Sequence, residues 1–236
     1  GSGKTRVLTR RVAYLLSQRG VAPGEVLAIT FTNKAAREMK ERVAHMVGAQ
    51  ARSMWVSTFH SACVRILRSE SARLGMKSSF TIYDSQDSQR LMTLVAKELG
   101  IESKVYSAKF LCGQVSNLKN ELVDYDSAWE RALRADAGPN DLIVAQAYKL
   151  YQRRLAEAHA VDFDDIIGRT VELLQLFPGV AEHYHRRFRH ILVDEYQDTN
   201  AAQYKLVRLL VGDGSDGVPP GELCVVGRSN QGRHPV

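Results

Sequence analysis

The feature of this sequence that most limits its fold is a series of short apolar segments, each followed by a long amphipathic stretch. The four segments are residues 26–31, 55–59, 190–194 and 223–227. Runs of this length with few polar residues are typical of strands that are buried on both faces of a parallel sheet. Strands that alternate with helices in this way predict an α/β fold built on a parallel sheet.

The stretches between these segments carry apolar residues at helical spacing. The spacing predicts helices over residues 7–19, 34–47, 60–74, 107–122, 140–158 and 164–176. Asp162 or Asp164 is suited to cap the last of these helices. No strand-like run occurs between residues 84 and 159. We therefore predict a sheet domain formed by residues 1–85 and 160–236, and an all-helical insertion subdomain formed by residues 86–159.

Composition limits the classes of partner and compartment. The 236 residues have a net charge of +6, which makes an anionic partner such as nucleic acid plausible, although the basic residues are interpreted as spread along the chain. Cys63, Cys112 and Cys224 show no CxxC pairing, which argues against a disulfide framework and a zinc site and favours a reducing, cytoplasmic setting. No apolar run approaches the roughly 18 residues of a membrane helix, so no membrane association is expected.

The first five residues, Gly1, Ser2, Gly3, Lys4 and Thr5, match the end of a phosphate-binding loop. In such a loop, backbone N–H groups and a helix N-terminus hold the phosphates of ATP, the lysine reaches the β- and γ-phosphates, and the hydroxyl binds Mg²⁺. The alternative is a flexible tip. No strand precedes the loop, so we expect a fragment whose sheet domain lacks its first strand.

A second candidate for ATP chemistry lies at the end of the apolar segment 190–194. Asp194 and Glu195 would both lie at the carboxyl edge of the sheet, where α/β folds of this kind bind ligands. Asp194 can assist Mg²⁺, and Glu195 can orient and deprotonate the attacking water. Taken alone, an Asp-Glu pair at a strand end is more often a solvated turn.

Two other features are interpreted as structural. His183 and His185 invite a metal-binding interpretation, but their i,i+2 spacing on a predicted helix points them apart, so an ordinary surface is expected. Residues 212–221 are rich in Gly, Pro and Asp and predict a flexible surface loop.

The order of several motifs makes a family resemblance specific. GSGKT is followed by TFTNKAA at residues 30–36, STFHS at 57–61, DFDD at 162–165 and DEYQDTN at 194–200. In this order the chain resembles the UvrD/PcrA/Rep-type superfamily 1 DNA helicases along nearly its whole length. The resemblance implies a RecA-like first motor domain, interrupted by a helical subdomain, that couples ATP hydrolysis to 3′→5′ movement on single-stranded DNA. DNA repair or replication would be its setting.

The resemblance also assigns roles to individual residues. By their positions in the motifs, the residues implied to contact the DNA strand are Thr30, Phe31, Thr32, Asn33, Thr58 and His60. Phe31 would offer a stacking surface, although its place at the end of an apolar run is equally compatible with core packing. His60 would otherwise be a cap or packing residue. Gln197 is implied to help relay the state of the nucleotide, with hydrogen bonding to the neighbouring loop as the alternative.

The match to the family weakens after Gly227. Residues 228–236 depart from the family pattern, and Gln231 is the position that corresponds to the family glutamine that senses the terminal phosphate. The second motor domain, which in the family supplies arginine fingers, is not present, so the fragment is expected to be inactive alone. Single-stranded DNA, duplex junctions and repair or replication proteins are the implied partners. The alternatives are a non-catalytic single-strand-binding remnant and the helicase part of a RecB/AddA-like helicase–nuclease.

Overall fold

The computed structural model describes residues 3–227, and their contacts divide them into two compact units. The first, which we call the sheet unit, contains residues 3–65, 174–199 and 204–227. The second, which we call the helical unit, contains residues 66–173 and 200–203. The insertion predicted from the sequence lies within the helical unit, which extends beyond it on both sides.

Within residues 3–227, six strands and ten α-helices follow one another. The strands are β1 (Val26–Thr30), β2 (Trp55–Thr58), β3 (Thr81–Tyr83), β4 (Ala160–Asp162), β5 (His190–Asp194) and β6 (Glu222–Val226). The helices are α1 (Gly3–Ser17), α2 (Asn33–Val47), α3 (Phe59–Glu70), α4 (Ser85–Glu98), α5 (Ala108–Asn120), α6 (Tyr125–Ala132), α7 (Asp141–Glu157), α8 (Phe163–Leu176), α9 (Pro178–Arg187) and α10 (Ala201–Val211).

The sheet unit contains four strands in the order β2-β1-β5-β6, and every neighbouring pair is parallel. All five residues of β1 are buried, as are the last four of β5, because α1 and α2 supply apolar side chains to the same core. The predicted parallel α/β fold is confirmed. Since β1 and β5 are the inner strands, their near-continuous apolar sequence reflects burial on both faces.

Three of the four predicted strands differ from the structure by one residue at one or both ends, and the strand predicted at 223–227 is β6 at Glu222–Val226. Phe31 lies just outside β1, and Phe59 is the first residue of α3 rather than the last of β2. In both cases a threonine hydroxyl bonds the backbone and starts the turn into the following helix. A hydrogen bond of a threonine hydroxyl to the backbone, donated by Thr30 and accepted by Thr58, therefore accompanies the end of each strand one residue earlier than apolar character suggests.

A second sheet, which the sequence did not reveal, lies in the helical unit. β3 pairs in parallel with β4, with Tyr83 opposite Asp162. Strands of three residues are too short for apolar periodicity to identify. Helices α4 to α7 pack around a core that includes Met92, Leu111, Tyr151 and Leu155.

The helical unit also contains a buried ionic cluster. Lys119 Nζ lies 2.7 Å from Asp162 Oδ2 and 2.9 Å from Asp165 Oδ1, and the three side chains are less than 10% exposed. Tyr151 donates its hydroxyl to Asp162 at 2.9 Å, and Gln152 Nε2 donates to both oxygens of Asp165 at 3.1 Å. Burial lowers the pKa of Lys119, but the two carboxylates outweigh it and the net shift is upward. The cluster joins α5, α7, β4 and α8.

The same aspartates start helix α8. Asp165 N–H donates to Asp162 Oδ1 at 2.8 Å, and Asp162 N–H donates to Asp165 Oδ2 at 3.3 Å. Of the two caps considered from the sequence, Asp162 is therefore the one used. Asp164 lies beside this pair, where burial and the charge of Asp162 raise the pKa of its carboxyl to about 6.

His185 departs from the surface position predicted for it. It is 9% exposed, with Nδ1 2.6 Å from Asp216 Oδ2 and Nε2 2.6 Å from the Leu209 carbonyl oxygen. Gly212 has a φ of 80°, and a Cβ there would lie 3.0 Å from the His185 ring. The loop at residues 212–221 is thus bound at Asp216 by a buried side chain, and its flexibility stays a prediction. His183, two residues before His185, is exposed as predicted.

Within residues 3–227, no helix is both long enough and apolar enough to cross a membrane.

The ionic cluster predicts a large stability effect for Lys119→Met. Removing the cation leaves two carboxylates buried without a counter-charge, so we expect the free energy of unfolding to fall by about 3–5 kcal/mol. Urea unfolding followed by circular dichroism measures this. Lys104→Met, at an exposed position of the same unit, should change the value by less than about 0.5 kcal/mol. Equal stability of the two variants would contradict a structural role for the cluster.

Candidate functional site

The carboxyl ends of the four parallel strands meet at one edge of the main sheet. The strand registers place Thr30 opposite Thr58 and Asp194 opposite Val226. The residues that follow the four strands therefore gather at this edge, where parallel α/β sheets bind ligands. They include the candidate residues at 31–33, 60 and 195, and also Gly227.

Thr5 and Asp194, although far apart in the sequence, lie side by side. Thr5 is in the first turn of α1, and its Oγ1 lies 3.3 Å from Asp194 Oδ2. Asp194 is 4% exposed, and its Oδ1 accepts a hydrogen bond from Glu195 N–H at 2.9 Å. Gly3 and Lys4 belong to the same first turn. Gly1 and Ser2 lie outside the described residues.

The donor atoms of Thr5 and Asp194 suit a hard cation. A hydroxyl and a carboxylate are oxygen ligands of the kind that Mg²⁺ prefers, and Mg²⁺ is usually held by one or two protein groups together with phosphates and water. Among residues 3–227 there is no group of three or more His, Cys, Asp or Glu side chains that could hold a metal ion by itself. Thr5 and Asp194 thus offer two oxygen atoms of the kind that such a cation binds.

Glu195 is held in an uncommon conformation. Its φ of 53° and ψ of 40° lie in the left-handed region, which residues with a Cβ rarely adopt. The Glu195 carboxylate accepts a hydrogen bond from Gln197 Nε2, with 2.6 Å between the two heavy atoms. The turn at 196–198 is closed by Asp198 N–H, which donates to the Glu195 carbonyl at 2.9 Å. Non-glycine residues in this region concentrate at functional sites, where the surrounding structure maintains them.

Gly227 is a residue of this site that the sequence interpretation did not single out as a candidate. It follows β6 directly, and a Cβ at this position would collide with the amide oxygen of Gln197. Gln197 is thus confined between the Glu195 carboxylate and the Gly227 backbone. A glycine at the end of an apolar strand was the available signal, since close backbone approach is one reason for glycine there. Gln231 lies outside the described residues.

Three of the six candidate DNA-contacting residues are exposed at the end of β1. Phe31 is 36% exposed and packs edge-on against Phe59, with ring centroids 5.6 Å apart. Thr32 and Asn33 are exposed, and Thr32 caps α2 by accepting a hydrogen bond from Ala35 N–H at 3.1 Å. Phe31 therefore makes an edge-to-face contact with Phe59 while part of its surface faces solvent.

Thr30 and Thr58 are placed differently. Thr30 is fully buried and donates its hydroxyl to the Thr32 carbonyl at 3.1 Å. Thr58 is 8% exposed, and its hydroxyl accepts from Ser61 N–H at 3.1 Å. Both side chains stabilise turns, and their contact with DNA stays a prediction. His60, the second residue of α3, is partly exposed.

Positive charge is concentrated near this part of the site. Residues 1–65 contain 11 Lys and Arg but only 3 Asp and Glu, so the basic residues are not spread evenly along the chain. Lys34, Arg37 and Lys40 are exposed on α2, which begins at Asn33. A basic helix that starts beside Phe31 and Thr32 favours an anionic ligand at this edge.

The cap formed by Thr58 gives a prediction that separates folding from binding. Thr58→Ala should lower the free energy of unfolding by about 1 kcal/mol, because Ser61 N–H loses its acceptor. Thr58→Ser keeps the hydroxyl and should retain most of the stability. Thermal or urea unfolding of both variants measures this, and an unchanged stability of the alanine variant would mean that the hydroxyl has another purpose.

Comparison with known proteins identifies the family. The UvrD/REP helicase N-terminal domain family matches residues 1–232. The chain is 60% identical over 233 residues to the ATP-dependent DNA helicase UvrD1 of Mycobacterium tuberculosis, and 50% identical over 231 residues to the ATP-dependent DNA helicase PcrA of Staphylococcus aureus. Each alignment covers 98% of this chain and 30% of the relative. The chain therefore belongs to the UvrD/REP helicase N-terminal domain family.

Proposed function

We propose that this chain supplies the ATP-binding motor domain of a DNA helicase that moves 3′→5′ on single-stranded DNA. The observation that carries the proposal is the meeting of Thr5 and Asp194, 3.3 Å apart, beside Glu195 at the carboxyl edge of the sheet. The names of the relatives, ATP-dependent DNA helicases, agree with it. Because the chain spans about 30% of their length, the activity is proposed for the whole protein.

The phosphate groups of ATP would be held by the start of α1. We assign this role to Gly1, Ser2, Gly3 and Lys4, whose backbone N–H groups and lysine side chain match a phosphate-binding loop. Thr5 and Asp194 would hold Mg²⁺, which neutralises charge on the phosphate oxygens when it is bound. Glu195, whose backbone is in the left-handed region directly after β5, is the residue that we assign to the attacking water.

Glu195 would orient the attacking water and accept its proton. Its carboxylate is partly exposed, and the hydrogen bond from Gln197 restricts its rotation. Gln197 is therefore proposed as a positioning residue, and its contact with Gly227 connects Glu195 to the segment that contains Gln231. Gln231 is proposed, by its place in the family pattern, to sense the terminal phosphate.

DNA would bind where β1 and β2 end. Phe31 is proposed to stack on a base, while Thr32, Asn33 and His60 contact the strand. The exposed basic residues of α2 support this assignment through attraction to phosphates. Because Thr30 and Thr58 are buried, we assign them to the support of the two turns rather than to direct contact.

The remaining assignments concern organisation and setting. We propose that residues 1–85 and 160–236 form the motor domain and that residues 86–159 form a helical subdomain. Duplex junctions and repair or replication proteins are proposed partners. A cytoplasmic location is proposed from the absence of any cysteine pairing pattern in the sequence.

Binding of a fluorescent ATP analogue to this chain tests the nucleotide site. We expect Mg²⁺-dependent binding that Lys4→Ala weakens about tenfold or more, because a charge-assisted contact to phosphate is lost. Glu195→Gln should bind within about twofold of the original chain, since this carboxylate acts on water. In the whole protein, Glu195→Gln should lower kcat by about 10² to 10⁴. Lys104→Ala is the matched lysine control, and equal binding by both lysine variants would refute the assignment.

Substitutions of Phe31 test the DNA site. Phe31→Leu keeps an apolar contact with Phe59 but removes the aromatic face, so affinity for a labelled oligothymidylate should fall about five- to a hundredfold. Phe31→Tyr should bind nearly as well as the original chain. Fluorescence anisotropy at two salt concentrations measures both. The stacking role fails if the leucine and tyrosine variants have the same affinity.

A further inference from the structure

The helical unit contains a cavity of about 510 Å³ that shares only Asp165 with the motifs above. One wall is a face of α7, the opposite wall is the segment from Leu74 to Lys77, and Val161 of β4 contributes to the lining. Cavities that bind small molecules and cofactors typically enclose about 300–1,000 Å³. The volume is therefore large enough for a ligand of nucleotide size.

The α7 wall carries two cations without counter-charges. Lys149 and Arg153 are four residues apart, so they occupy the same side of the helix, and both are exposed. Within residues 3–227, neither makes an ion pair. The adjacent Arg154 behaves differently, because it pairs with Glu98 at 2.6 Å and Glu157 at 2.9 Å. Two like charges at this spacing slightly disfavour a helix.

Further basic groups line the rest of the cavity. Lys77 is exposed and, like Lys149, has no ion pair within the described part of the chain. His159 follows the end of α7 with a φ of 50°, a conformation that glycine usually adopts at this position. Arg169 is partly neutralised, since its Nη1 lies 2.5 Å from Glu172 Oε2.

The single acidic residue of the lining, Asp165, already has hydrogen-bonding and ionic partners. Asp165 is buried, and its oxygens are bound by Lys119 and Gln152. The basic lining is not a consequence of local composition, because residues 66–173 contain 16 Asp and Glu against 14 Lys and Arg. The cavity is therefore lined by unpaired cations although the helical unit as a whole has a small excess of acidic residues. This arrangement favours an anionic ligand.

The remaining lining is largely apolar. Phe80 and Val161 are buried, while Met76 and Tyr125 are partly buried. A ligand that fits this cavity combines a flat, weakly polar body with an anionic group. Nucleotides have this combination, because the base can lie on apolar and aromatic side chains while the phosphate contacts Lys and Arg.

We propose that this cavity binds a nucleotide through its phosphate, with Lys149 and Arg153 as the principal contacts. The ligand is either a free nucleotide or a nucleotide within a DNA strand. This site goes beyond the proposed function, because it shares no residue with the ATP site or with the end of β1. An experiment can therefore disprove this site without disproving the proposed function, and the reverse.

Hydrogen exchange with two probes tests the proposal on the complete chain. Thymidine 5′-monophosphate lacks the β- and γ-phosphates that Lys4 would bind, and an eight-residue oligothymidylate represents the strand. We expect one or both probes to slow exchange in residues 74–80 and 149–161. Protection by the monophosphate identifies a free nucleotide as sufficient, and protection by the oligothymidylate alone identifies the strand.

Charge variants provide the control. K149E/R153E should lower the affinity of the protecting probe about tenfold or more, and K149Q/R153Q should lower it less. R131E/R134E makes the same change in net charge on exposed residues of the helical unit outside the cavity, and it should retain affinity within about twofold. The proposal is overturned if neither probe protects these segments, or if the two charge reversals weaken binding equally.

Discussion

Parallel hydrogen bonding of β5 to β1 on one side and to β6 on the other fixes where Asp194 and Glu195 lie relative to the end of β1 and to Gly227. The registers fix Asp194 beside Val226 and Ile29 beside Val193, so the ends of the three strands are level. A shift of one residue in β5 would turn each of its side chains to the opposite face of the sheet and move Asp194 away from Thr5. The chemistry of the edge thus depends on the apolar residues of β5 being buried on both faces.

The main sheet was predictable because burial leaves a strong pattern in the sequence. All four of its strands were located to within one residue at each end, and the Asp-Glu pair was correctly expected at a strand end. Individual side chains were less predictable. Thr30 and Thr58 belong to motifs associated with DNA, yet both hydroxyls bind their own turns, and only the three-dimensional arrangement distinguishes such a cap from a ligand contact. The environment of His185 also depends on residues distant in sequence, Leu209 and Asp216.

The helical unit obtains its specificity from a different source. Its apolar core could accept several helix arrangements, since apolar contacts have little directionality. The Lys119 cluster is directional, because two carboxylates, a tyrosine hydroxyl and an amide must all meet one ammonium group and its partners. A wrong arrangement would leave charges buried without partners, which costs more than a poorly packed apolar contact. The DFDD segment therefore has a structural explanation within the helical unit alone.

The pairing of β1 with β5 also has a consequence for the order in which the chain can assemble. Val26 lies opposite His190, and most of the chain between them, residues 66–173, forms a unit with its own core. The entropy lost when two distant strands meet depends on the length of flexible chain that separates them. Once the helical unit has formed its local contacts, that flexible length is much shorter than the sequence separation. An inserted compact unit thus makes a very non-local strand pairing behave, in entropic terms, like a far more local one.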